Sequence, residues 1–160
     1  AASMPHRFMG INQSGQVCLL QTQGNPDGHV ILRGGKKPNY HEEDVALCEA
    51  HMIKAGLTPS LMIDCSHGNS NKDFRRQSVV VDSVIEQIKK GNQSITGIML
   101  ESHINEGNQS SEQPRSEMKY GVSVTDACIS WETTESVLRN LHQQISPVLA
   151  QRAAQLRKVS

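Results

Sequence analysis

The sequence predicts an α/β fold made of repeated strand–helix units, and three observations carry that prediction. Apolar strand-like runs end at Arg33, His67 and Glu101, with 34 positions from the first to the second and 34 again from the second to the third. Each interval holds one strand and one helical stretch, the rhythm of a βα repeat. The third run, Ile95 to Leu100, is nearly all apolar, as a strand covered on both faces should be. In a barrel of such units the side chains at strand ends face one mouth. Only three units can be counted in the 160 residues, whereas a closed eight-unit barrel takes about 250. The expectation is therefore either the C-terminal part of a barrel or a small open α/β sheet.

Residues 6–23 read as a β-hairpin, with turn chemistry at Gln13-Ser14-Gly15. A hairpin is foreign to a plain βα repeat and is either decoration or an extra site or subunit contact. Gly24 to Gly28 is a turn that delivers the chain into the first strand, His29 to Arg33. A helix follows over 41–55. Glu42, Glu43 and Asp44 suit its N-terminal dipole, Val45, Cys48, Met52 and Ala55 form its stripe, and Gly56 ends it. His41 and His51 read as solvated helix residues. The second strand is Leu61 to Cys65. Ser70 or Asn71 can cap a helix running to about Lys90, with Phe74, Val81, Val84, Ile85 and Ile88 inward. Lys72, Arg75 and Arg76 read as its solvated face. After the third strand comes a polar loop, 104–119, of a length that is usually functional or disordered. Thr133 or Thr134 can cap a last helix with Val137, Leu138, Leu141 and Ile145 inside, and Pro147 should break or kink it.

The hydrophobic content of 36% supports one modest domain. Sixteen basic and sixteen acidic residues cancel, so nothing suggests a nucleic-acid surface. No apolar run approaches the ~20 residues of a membrane span. The N-terminus lacks the apolar core of a signal peptide and reads as a cut point or the interior of a longer chain. Cys18, Cys48, Cys65 and Cys128 show no zinc-knuckle or redox spacing. They are expected to be reduced thiols in a cytoplasmic protein.

A histidine ending an apolar strand binds metal, moves a proton, or is a plain strand-end residue. The spacing to its neighbours favours a functional reading. His67, Glu101 and Asp126 make a nitrogen–oxygen ligand set suited to one divalent ion such as Mn, Fe, Co or Zn. His103, two residues past Glu101, is a rival ligand that lies further into the loop. Arg33 ends a core strand, where an arginine should be partly buried and need an anionic partner. Gly34-Gly35-Lys36-Lys37 after it either cradles a phosphate or is an ordinary loop. Together these residues describe metal-assisted carbonyl chemistry on a phosphorylated or carboxylated substrate.

Several stretches closely resemble the microbial class I 3-deoxy-D-arabino-heptulosonate 7-phosphate (DAHP) synthases. They are Gly24-Asn25, His29 to Tyr40, Leu61 to Asn71, Glu101-Ser102-His103, Glu106 to Ser110 and Gly121 to Glu132. Pro114 to Tyr120 is most similar to the tyrosine-sensitive branch. The resemblance implies that residues 1–160 are the C-terminal part of one (β/α)8 TIM barrel, supplying its last three βα units with the hairpin 6–23 as a regulatory insertion. It implies a metal-dependent, aldol-type condensation of phosphoenolpyruvate with erythrose 4-phosphate, the first step of the shikimate pathway, in a dimer or tetramer.

By resemblance, His67, Glu101 and Asp126 are three of four metal ligands, and Asp126 also orients erythrose 4-phosphate. Arg33 binds phosphoenolpyruvate. Phe8, Gly10 and Leu20 line a feedback site for an aromatic amino acid, tyrosine by the glycine at position 10 where phenylalanine-sensitive relatives have serine. The family's fourth ligand is the cysteine of a Cys-Gly-Pro motif, which does not occur here. Cys65 is implied to be a core residue. The 160-residue chain alone is accordingly expected to be inactive and not independently stable; the alternative reading is a fragment that acts only as a ligand-binding or assembly piece of that enzyme.

Overall fold

The structure is a computed structural model that describes residues 4–25 and 27–156. It divides into two compact units, residues 1–30 and 31–160.

The first unit is a hairpin of β1 (Arg7–Ile11) and β2 (Val17–Gln21), paired antiparallel with Phe8 opposite Leu20 and Gly10 opposite Cys18. Asn12 builds its turn: the side-chain oxygen accepts the N–H groups of Ser14 and Gln16, both at 3.0 Å, and Gly15 takes φ +76°. Strand alternation places Phe8, Gly10, Cys18 and Leu20 on one ribbon face. Pro26, within the expected turn, lies outside the described residues.

The second unit is built on a three-stranded sheet of order β3-β4-β5, namely Val30–Leu32, whose first residue is the last of the first unit, Leu61–Asp64 and Ile95–Met99. β4 and β5 are parallel, with a register irregularity between Leu61 and Met62. Helix α1 (Glu42–Lys54) links β3 to β4, and α2 (Gln77–Lys89) links β4 to β5. Strands and helices thus alternate along this unit, an α/β arrangement. Leu61, Ile63 and Cys65 from the sheet pack with Val81, Val84, Ile85 and Ile88 of α2 in the core. Each such aliphatic side chain contributes about 1.5–3 kcal/mol when fully buried. Val45 and Met52 are the buried stripe of α1, while Ala55 is exposed at its end and Gly56 (φ +73°) stops it.

Helix α2 starts later than the sequence suggests. Asn71 and Lys72 both adopt left-handed backbone, at φ +54° and +62°, which excludes them from a helix. Asp73 is the cap instead, its carboxylate accepting the Arg75 N–H at 3.1 Å at the head of a 3₁₀ turn, Phe74–Arg76.

The polar segment after β5 is ordered by its own side chains. Gln109 donates to the carbonyls of Lys119 (2.8 Å) and Val122 (3.0 Å) and accepts the Lys119 N–H (2.8 Å). Backbone bridges join Ser102 to Ile129, Gly107 to Cys128 and Asn108 to Ser123. Ser130, rather than Thr133 or Thr134, caps α3 (Trp131–Leu156): its hydroxyl accepts the Thr133 N–H and its carbonyl the Thr134 N–H. Val137, Leu141, Ile145 and Val148 pack on the core, and Leu138 does not, being 43% exposed. The helix also continues through Pro147. Pro147 lies on the exposed side, and the carbonyl it leaves unpaired belongs to Gln143, an exposed residue that water can satisfy. Among the described residues no helix is long and apolar enough to cross a membrane.

Candidate metal centre

The ends of β3, β4 and β5 open into one cleft of about 400 Å³, whose lining includes Arg33, His67, Lys72, Glu101 and Asp126. His67, Glu101 and Asp126 each turn one donor atom to a common point, the three atoms lying within 4.8 Å of one another. His67 Nε2 is 3.5 Å from Glu101 Oε1 and 3.8 Å from Asp126 Oδ2. Donors that share an ion through bonds of ~2.0–2.2 Å stand at separations of this size. One imidazole nitrogen and two carboxylate oxygens are also the right chemistry for a divalent transition ion, so the residues fit the implied metal.

Close backbone packing sets the cleft floor. Gly34 takes φ +74°, and a Cβ there would come within 2.6 Å of the Gly68 carbonyl carbon and 2.7 Å of Asn69 N. Only glycine admits both the conformation and the approach. Asn69 is fully buried and ties the two strand ends together. Its amide donates to the carbonyls of Leu32 (2.9 Å) and Asp64 (2.8 Å), and its oxygen accepts the Asn39 N–H (2.8 Å). Asn39 in turn accepts the Gly34 N–H at 2.7 Å.

The side chains of this cluster are themselves held. His67 sits at φ +45°, an uncommon backbone for a non-glycine residue. That turn bends its ring back toward Asp64, whose Oδ2 lies 2.8 Å from Nδ1. Glu101 Oε2 accepts the Ser66 hydroxyl. Gln77, 0% exposed, bonds both backbone groups of Glu101. Asp64, Ser66, Asn69 and Gln77 were not singled out by sequence pattern. The available signal is four polar residues in or beside otherwise apolar segments, since a polar side chain is buried only where it finds partners.

Arg33 has an anionic partner, Asp64 Oδ2 at 3.7 Å from Nε, and its side chain is only partly covered, at 63% exposed. It is thus free to meet a ligand in the cleft. Of the Gly34-Gly35-Lys36-Lys37 stretch the two glycines line the cleft and Lys36 does not, whereas Lys72 does. The left-handed turn at Asn71–Lys72 takes Lys72 off the helix face assigned to it. His103 stands apart from the cluster, its Nδ1 accepting the Ile104 N–H at 2.8 Å. Cys65 is a fully buried core residue, and burial pushes its thiol up to about 12, with the Asp64 charge adding to the rise. Burial likewise raises Cys128. No thiol joins the cluster among the described residues.

In the hairpin unit, Phe8, Gly10 and Leu20 share one face. A Cβ on Gly10 would lie 2.5 Å from Leu20 Cδ1 and 3.7 Å from Phe8 Cε2.

Comparison with known proteins gives this arrangement a family. Residues 1–139 match the DAHP synthetase I family. The chain is 76% identical over 155 residues to the "Phospho-2-dehydro-3-deoxyheptonate aldolase, Tyr-sensitive" of Enterobacter agglomerans, covering 97% of this chain and 73% of that sequence. It is 71% identical to the Escherichia coli K12 protein of the same name, covering 96% of this chain but 43% of the relative. The solved phospho-2-dehydro-3-deoxyheptonate aldolase of Francisella tularensis superposes with a TM-score of 0.83 at 42% identity, covering 91% of this chain and 42% of the other. The chain thus spans less than half the length of the E. coli and F. tularensis proteins. With both the motifs and the fold in agreement, this chain belongs to the DAHP synthetase I family.

Proposed function

We propose that the chain is the C-terminal part of a 3-deoxy-7-phosphoheptulonate synthase, which condenses phosphoenolpyruvate with erythrose 4-phosphate and releases phosphate, the first step of the shikimate pathway. The observation that carries this reading is the meeting of His67, Glu101 and Asp126 beside Arg33 in one cleft of a chain from this family. The three strand–helix steps are read as the last three of a (β/α)8 barrel, whose functional side chains sit where strands end. The working protein is read as a cytoplasmic homo-oligomer, dimer or tetramer.

His67, Glu101 and Asp126 would hold one divalent ion, Mn, Fe, Co or Zn. When bound there, the ion supplies Lewis-acid polarisation of the aldehyde carbonyl of erythrose 4-phosphate. Arg33, with a guanidinium open to the cleft, binds an anionic group of phosphoenolpyruvate and sets the direction of its enol carbon. Gly34 and Gly35 keep the backbone low enough for that group to approach. Asp126, the most exposed of the three ligands at 72%, has a face left to orient the aldehyde substrate. Phe8, Gly10 and Leu20 form the hairpin's part of a feedback site for tyrosine. A second reading, a non-catalytic binding piece, is favoured by one observation: the cluster has three donors and no thiol.

A chimera decides between them. The N-terminal part of the E. coli relative would be joined to this chain and assayed with both substrates and Mn²⁺. Heptulosonate phosphate formation that tyrosine inhibits and Glu101→Ala abolishes supports the enzyme reading. A folded chimera with no turnover contradicts it and favours the binding piece.

A further inference from the structure

We propose that Asp64 is the positioning residue of the metal centre, holding His67 as the Nδ1–H tautomer so that Nε2 is the atom offered to the metal. The inference rests on the metal-centre reading above.

Asp64 ends β4, and its side chain is 1% exposed. Its two oxygens have separate tasks. Oδ1 accepts the Ser66 backbone N–H at 2.9 Å, a group that can only donate. Oδ2 lies 2.8 Å from His67 Nδ1 and 3.7 Å from Arg33 Nε. The guanidinium is also an obligate donor. Oδ2 therefore serves as an acceptor, and the ring proton belongs on Nδ1 beside it. A neutral imidazole carries one N–H, so the lone pair is left on Nε2. Nε2 is the ring atom that faces Glu101 Oε1 at 3.5 Å and Asp126 Oδ2 at 3.8 Å. A carboxylate behind a ligating histidine fixes ring orientation as well as tautomer.

The strained turn makes this contact possible. His67 is held at φ +45° by two bonds to its carbonyl, from Lys72 N–H (2.8 Å) and the Ser70 hydroxyl (3.2 Å). Left-handed backbone at a non-glycine residue is costly and persists where surroundings over-determine it. Here it brings the imidazole back over a carboxylate only three residues earlier.

The consequence is specific to one substitution. In Asp64→Asn the Ser66 N–H still needs an acceptor, so the amide oxygen stays where Oδ1 was. The amide NH₂ is then turned to His67 Nδ1 and donates to it. The ring proton moves to Nε2, and the lone pair facing Glu101 and Asp126 is lost.

The test uses the 160-residue chain with ¹⁵N-labelled histidine, metal-free and at a pH where imidazole is neutral, with His67 assigned by the signal missing in His67→Gln. The expected result is the Nδ1–H tautomer in the wild type and Nε2–H in D64N, with Co²⁺ affinity falling about 10–100-fold in D64N. An Nε2–H ring in the wild type overturns the proposal, and so does a D64N chain with unchanged tautomer and Co²⁺ affinity. The wild-type spectrum decides the matter even where D64N does not fold. Failure of the wild type to bind Co²⁺ counts against the metal centre, whereas the tautomer is read separately from its own resonances.

Discussion

Gln77 grips Glu101 by both of its backbone groups. The side-chain oxygen accepts the Glu101 N–H at 2.8 Å, and the side-chain amide donates to the Glu101 carbonyl at 3.0 Å. The first residue of α2 thereby fixes the position at which β5 releases the carboxylate proposed to hold the metal into the cleft. Gln77→Leu keeps the volume and removes both bonds, leaving two backbone groups short of partners. We expect a loss of about 2–4 kcal/mol in urea unfolding and a weaker hold on Co²⁺. An unchanged midpoint with unchanged Co²⁺ affinity would show that the clamp is incidental.

Gly34 and Gly35 are neighbours with opposite tolerance. A Cβ on Gly34 meets the Gly68 and Asn69 backbone at 2.6 and 2.7 Å and needs φ +74°, while a Cβ on Gly35 meets nothing within 4 Å. Gly34→Ala should therefore cost at least about 2 kcal/mol, and Gly35→Ala less than about 1 kcal/mol. Equal urea midpoints for the two variants would contradict the packing described.

Gly10 shares the ribbon face of Phe8 and Leu20, and any side chain added there presses on Leu20. In the active chimera, Gly10→Ser should raise the tyrosine concentration needed for half inhibition while leaving turnover unchanged. An unaltered inhibition curve would contradict a role for position 10 in the proposed feedback site.

Cys65 makes stability depend on alkaline pH. Burial holds its thiol protonated, raising it from 9.0 to about 12. The native chain then keeps a proton that the unfolded chain releases above pH ~9. The contribution is fully present below that pH and is lost as pH rises toward 12. Relative to its own stability at pH 8, the wild type should lose roughly 2 kcal/mol more than Cys65→Ala by pH 10.5. Parallel pH profiles for the two chains would show that Cys65 does not carry this linkage.

Much of this site is legible in the sequence because its signals are local. Strand periodicity and the 34-residue spacing bring Arg33, His67 and Glu101 to three strand ends, and the structure gathers Asp126 with the latter two. Where sequence reasoning falls short, the chain departs from regular geometry. Strand alternation puts Asp64 and His67 on opposite faces, and the left-handed backbone at His67 reverses that. Left-handed Asn71 and Lys72 shift the start of α2 and bring Lys72 to the cleft. Gln77 and Asn69 depend on backbone partners 24 and 37 positions away, which no local window contains. Pro147 is tolerated because its side of α3 is exposed, a tertiary fact rather than a propensity.

The measurement that bears most directly on the central claim is a Co²⁺ titration of the chain, followed by its visible spectrum, alongside His67→Ala, Glu101→Ala and Asp126→Ala. One Co²⁺ per chain in the wild type, with affinity lost or sharply reduced in each variant, is the predicted result. Binding that survives in all three variants, or no binding to the folded wild type, would contradict a metal centre built from His67, Glu101 and Asp126.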